Sequence, residues 1–107
     1  MEIEYSERNI RLFEKFLKPV TINDLENYEK YFYNYKDNIK GFLEKECNIY
    51  ISIWYNETHR GKIWFYLVEC RNEYYTSDEQ YQNDLLTYNM ALNRAVEFIF
   101  TKILNCG

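Results

Sequence analysis

One histidine, three cysteines and a run of carboxylates are the groups with which this 107-residue chain could do chemistry. His59 stands in "NETHRG", beside Arg60 and between two strand-like runs. A Ser–His hydrolase would need it, yet there is no GxSxG elbow and no HExxH pair. A lone loop histidine without partners reads as surface. Cys47, Cys70 and Cys106 are odd in number and widely spaced, with no CxxC for zinc or redox work, so free thiols in a cytoplasmic protein are expected. Cys70 precedes Arg71, which would favour a thiolate, but it lies in an apolar strand run and should be buried. Three scattered glycines cannot form a phosphate loop. Glu69, Glu73, Asp78, Glu79 and Asp84 crowd the segment 69–84, where Arg71 is the one base. They read as a solvated acidic rim that would steer a basic partner. The expectation is no catalytic residue, no metal and no cofactor: a non-enzymatic protein.

The elements that must position any site follow from spacing. Ser6 is a candidate cap for a helix carrying Ile10, Phe13 and Leu17, which Pro19 stops. "TINDLE" restarts a helix, with Thr21 or Asn23 as cap and Glu26 as its reciprocal carboxylate. Leu25, Tyr28, Phe32, Tyr35, Ile39 and Phe42 keep helical spacing and fall within roughly 100° of arc, so one helix to about Glu46 is expected. Most of the aromatics of "NYEKYFYNYKDN" then join a buried seam, while Tyr33 points outward.

"NIYISIWY" and "KIWFYLVEC" alternate as strands, and the loop between them predicts an antiparallel hairpin. "EYYTS" is a candidate third strand. The last helix has two possible starts. Ser77 with Gln80 fits a capping box and is preferred; Thr87 is the alternative. Tyr81, Leu85, Tyr88, Leu92, Ala95 and Ile99 mark its buried stripe. The predicted fold is α+β: one domain over 1–107, a small antiparallel sheet packed with two N-terminal helices and one C-terminal helix.

Composition bounds the function. Aromatics make up 20 % of the chain, with twelve Tyr. The twelve Asn and ten Ile point to AT-rich codons, which explain part of that excess. A net charge of −4 argues against general nucleic-acid binding. No stretch resembles a signal peptide or approaches a membrane span.

If the Ile-rich face of the sheet is buried, alternation puts Tyr50, Trp54, Trp64 and Tyr66 on the open face. Such a patch suits a protein interface, with the aromatics as anchors, Tyr33 as a further exposed ring and the acids as rim. Homodimerisation through the same face is one alternative. An RNA-binding domain is another, with Arg60 and Lys62 as its basic residues. The element order resembles a double-stranded-RNA-binding domain, but that family carries a Lys cluster on its last helix. Here "ALNRAVEFIFTKIL" offers Arg94 and Lys102. Should residues 6–17 cross the second face, Trp54 and Trp64 would instead be core.

The hairpin "IYISIWYNETHRGKIWFYLVEC" and the helix "TYNMALNRAVEFIFTKI", with Tyr88, Ala91 and Ala95 at helical spacing, resemble a loose class of small phage- and prophage-encoded α+β proteins. The likeness covers roughly the last 60 residues. It implies an inhibitor of host defence, such as an anti-CRISPR acting on an RNA-guided nuclease. Such an inhibitor would block a nucleic-acid channel or a needed movement.

Overall fold

A computed structural model describes residues 3–18, 25–78 and 84–105. Its centre is an antiparallel sheet of β1 (Ile49–Thr58), β2 (Gly61–Cys70) and β3 (Glu73–Thr76), in the order β1-β2-β3. Two tight turns set it. Thr58 pairs with Gly61, and the Thr58 hydroxyl donates to the Gly61 carbonyl at 2.8 Å while accepting the Arg60 N–H at 3.1 Å. Gly61 sits at φ +106, where a side chain would be strained. At the second turn Arg71 and Asn72 both take positive φ, 52° and 66°, the conformation that matches the twist of a two-residue hairpin.

The first turn determines which residues face inward. Its loop holds two residues, His59 and Arg60, so odd-numbered positions of β1 pair with even-numbered positions of β2. Ile49 meets Cys70, Ile51 meets Val68, Ile53 meets Tyr66 and Tyr55 meets Trp64. Tyr66 and Trp64 therefore share the Ile-rich inner face, and Tyr66 and Val68 are fully buried there. The expected open-face placement of Trp64 and Tyr66 is corrected. Alternation cannot choose a face when both sets are apolar; the loop length chooses it.

The helices lie against the inner face. α3 (Ile39–Cys47) and α4 (Tyr88–Phe98) pack on the sheet, and α1 (Glu7–Leu17) lies against α2 (Leu25–Tyr35), α4 and the π-helical turn Ile99–Ile103 that extends α4. Phe13, Phe42, Leu43, Leu92, Val96 and Phe100 meet Ile49, Tyr66 and Val68 in one core. Ser6 caps α1 as expected, its hydroxyl accepting the Asn9 N–H at 3.1 Å.

Two helix expectations are revised. The long second helix is two helices. Asn38 breaks it, turning its side chain to accept the Gly41 N–H at 3.1 Å and so capping α3. α2 consequently buries no residue, and Tyr28, Tyr31, Phe32 and Tyr35 are half-buried on the rim of the core. The predicted caps Thr21 and Asn23 lie outside the described residues. The last helix starts at Tyr88, with the Thr87 hydroxyl accepting the Met90 N–H at 3.1 Å. Ser77 is used by the sheet instead. Its N–H donates to the Tyr66 carbonyl at 3.1 Å, and its hydroxyl accepts the Tyr66 N–H at 3.2 Å.

A polar lock, unforeseen from sequence, ties the N-terminal segment to α4. The Asn93 carbonyl oxygen of the side chain accepts the Ser6 N–H at 2.8 Å and the Asn9 amide at 3.0 Å. The Asn93 amide donates to the Glu4 carbonyl at 2.7 Å and the Asn89 carbonyl at 2.8 Å.

Candidate protein-interaction face

Pairing parity assembles the outer face. β1 contributes Tyr50, Ser52 and Trp54; β2 contributes Ile63, Phe65, Leu67 and Glu69; β3 contributes Tyr74 and Thr76. None of them is buried, whereas Ile49, Ile51, Tyr66 and Val68 of the inner face are. Trp54 is 39 %, Tyr50 44 % and Tyr74 59 % exposed. Trp54 and its cross-strand partner Phe65 stack, with ring centroids 5.8 Å apart and planes 20° from parallel. The Tyr74 hydroxyl lies 3.5 Å from the Glu69 carboxylate. The face thus carries one acid and no lysine or arginine. From strand rise and spacing it measures about 20 Å by 15 Å, or roughly 300 Å².

The predicted site residues divide. Tyr50, Trp54 and Glu69 lie on this face. Trp64 points inward at the hairpin end, 4.9 Å from the Tyr55 ring and 5.8 Å from the Tyr88 ring. Tyr66 is core. Tyr33 is 67 % exposed, but on α2, which packs on α1 and α3.

The acids do not form one rim. Glu73 lies on the inner side, where its carboxylate accepts the Tyr75 hydroxyl. Asp78 is exposed just past β3. Asp84 pairs with Arg94 at 3.7 Å. Glu79 lies outside the described residues. Arg60 is exposed at the hairpin tip, and the Lys62 ammonium sits 4.4 Å from the Tyr55 ring centre, on the inner side. The basic pair of the RNA alternative is therefore not on the aromatic face. Phe65, Leu67, Ile63 and Tyr74 were not foreseen as site residues, although the preference of hairpins for two-residue loops would have assigned Phe65, Leu67 and Ile63 to the outer face.

His59 is exposed in the turn. At the foot of the inner face a concavity of about 340 Å³ is lined by Cys47, Cys70, Arg71, Glu73, Tyr75 and Lys102 among others. Burial pushes the Cys47 thiol up, and Glu46 and Cys70 add to the shift, which weakens it as a nucleophile. The Tyr75 phenol is raised chiefly by its hydrogen bond to the Glu73 carboxylate. Among the described residues no group of three or more His, Cys, Asp or Glu gathers as for a metal ion. None of the described helices is long and apolar enough to cross a membrane. No family model, curated protein or solved structure matches the chain.

Proposed function

We propose that the chain is a non-enzymatic protein-binding module whose outer sheet face holds the partner. The observation behind this is the exposed Trp54 ring stacked on the half-buried Phe65, on a face that no described helix covers. Large aromatics that keep part of their surface free are among the residue types on which interfaces concentrate their binding energy. The charge pattern favours protein over nucleic acid. Bases stack on aromatic sheets too, but the groove that holds them needs cations for the phosphates, and this face offers Glu69 instead.

In outline the sheet is a small platform, roughly 300 Å², beside the ~800 Å² of accessible surface that each partner of a stable interface buries. A partner would therefore continue past the sheet onto the exposed Asp78 or the hairpin end. The likeness to small phage-encoded proteins narrows the proposal to an inhibitor of a host defence nuclease. There the aromatics would seat on the protein and Glu69 and Asp78 would meet its basic channel.

The test is affinity capture from host lysate after nuclease treatment, with wild type beside Trp54→Ser and Phe65→Ser. A near-stoichiometric protein that wild type retains and both folded variants lose supports the proposal. Recovery of nucleic acid alone, or equal capture by all three, contradicts it.

A further inference from the structure

We propose that β1 is also an association edge, and that its occupant is β1 of a second copy, paired antiparallel. This is independent of the partner proposed above, because it uses the rim of the sheet and leaves the outer face free.

The hydrogen-bond parity shows which groups are available. The Ser77 N–H donates to the Tyr66 carbonyl and the Trp64 N–H to the Leu85 carbonyl, so the main chains of Tyr66 and Trp64 point toward the β3 side. Their β1 partners Ile53 and Tyr55 therefore point their own main-chain groups away from β2. Glu57 follows by the same alternation. At the foot of the strand Ile49 is 2 % exposed and Ile51 7 %, so the edge is closed there. It opens from Ile53 onward, where the hairpin leaves the core, and residues 55–62 are exposed throughout.

Edge strands usually carry a lysine, a proline, a bulge or an inward-pointing charge that hinders pairing. β1 has no lysine, proline or bulge, and its one inward charge, Glu57, stands opposite Lys62 of β2. The strand reads "IYISIWYNET", with Glu57 as its one charge, and its register against β2 runs unbroken from Ile49 to Thr58.

The strand is self-complementary about Tyr55. With a twofold axis there, Tyr55 faces Tyr55 of the copy, and Ile53 faces Glu57 in both directions. These three pairs exchange six main-chain hydrogen bonds, two for each pair. Trp54 then faces Asn56 on the outer side. The register keeps each inner face with its copy's inner face, and the two Glu57 carboxylates do not oppose each other. The two aromatic faces become one continuous platform about twice the outline of either. The pairing itself is small, so the dimer should be weak and dependent on concentration.

Sedimentation across micromolar to millimolar protein should show mass rising from 13.3 kDa toward twice that value. Tyr55→Pro removes both bonds at the axis without removing a β1–β2 bond, and should weaken dimerisation by about tenfold or more. Tyr55→Val keeps the N–H and should still dimerise. In wild type, amide exchange at Ile53, Tyr55 and Glu57 should slow with concentration, while Trp54 and Asn56 stay protected at every concentration. A chain monomeric throughout overturns the proposal. So does a dimer that forms while the amides of Ile53, Tyr55 and Glu57 exchange freely, since it must use another surface.

Discussion

Tyr66 and Trp54 stand on facing strands of one hairpin and carry side chains of similar character, but the sheet sends them to opposite faces. Truncating each to alanine should separate them sharply. Tyr66 is fully buried, against Phe98 at 6.3 Å. A large aromatic removed from a closed core leaves a cavity and costs about 3–5 kcal/mol. Trp54 already meets solvent, and its described ring contact is the Phe65 stack. A cross-strand pair of this kind contributes about 0.2–1 kcal/mol, and alanine's poorer strand propensity adds up to about 1 kcal/mol. The difference is therefore about 1–5 kcal/mol. At a urea dependence of about 1–3 kcal/mol per molar it separates the two midpoints by about 0.3 M at the least and by several molar at the most. Trp64, which neither variant removes, reports unfolding by its fluorescence. Equal midpoints would refute the face assignment, because Trp54 would then be as enclosed as Tyr66.

Other consequences follow from the same contacts. Asn93→Ala should destabilise by about 1–3 kcal/mol in urea unfolding, because it takes the acceptor from the Ser6 N–H and one of two acceptors from the buried Asn9 amide, which keeps the Asn93 main-chain carbonyl at 2.8 Å; a loss below about 1 kcal/mol would mean that water replaces the lock. Gly41→Ala, which raises stability by up to about 1 kcal/mol in an unobstructed helix, should lower it here, because the new Cβ would strike the Asn38 cap; a raised midpoint would count against that cap geometry. Burial raises the Tyr5 phenol above its ordinary value, against the lowering effect of the Lys40 N–H it accepts. A raised acid holds its proton more tightly when folded, so its contribution is complete below about pH 10 and is lost as pH climbs through the folded value. Tyr5→Phe should therefore flatten the alkaline decline of the melting temperature, and an unchanged decline would exclude Tyr5 as its source. Cys47 should react with iodoacetamide at pH 8 more slowly than a free cysteine, measured in a Cys70→Ser, Cys106→Ser variant; an equal rate would contradict its burial.

The α+β class, the hairpin, the third strand and the Ser6 cap were legible because each rests on local signals: alternation, turn residues, a hydroxyl before an apolar run. What failed depended on choosing between two sufficient local signals. Ser77 and Thr87 both look like caps, and the sheet takes Ser77 because the Tyr66 main chain needs a partner beyond β3. The stripe from Leu25 to Phe42 keeps helical spacing across Asn38, yet Asn38 gains more by capping α3 than by continuing α2. The candidate site was half legible. Tyr50 and Trp54 were correctly placed outside, but β2 is apolar on both faces, so Phe65 and Tyr66 could be told apart only through the parity of a two-residue loop. The acidic segment misled for another reason. Its residues are neighbours in sequence, but strand alternation and the ion pair with Arg94 send them to different sides.

If the outer sheet face meets a protein partner, as proposed, a footprint on the labelled chain will lie there. Amide shifts of the labelled chain would be followed as the captured partner is added. The largest changes should fall at Trp54, Phe65, Leu67 and Tyr74, with Leu92 and Val96 in the core unmoved. Changes confined to α1 and α2, or to Arg60 and Lys62 at the hairpin tip, with the outer face silent, would contradict it.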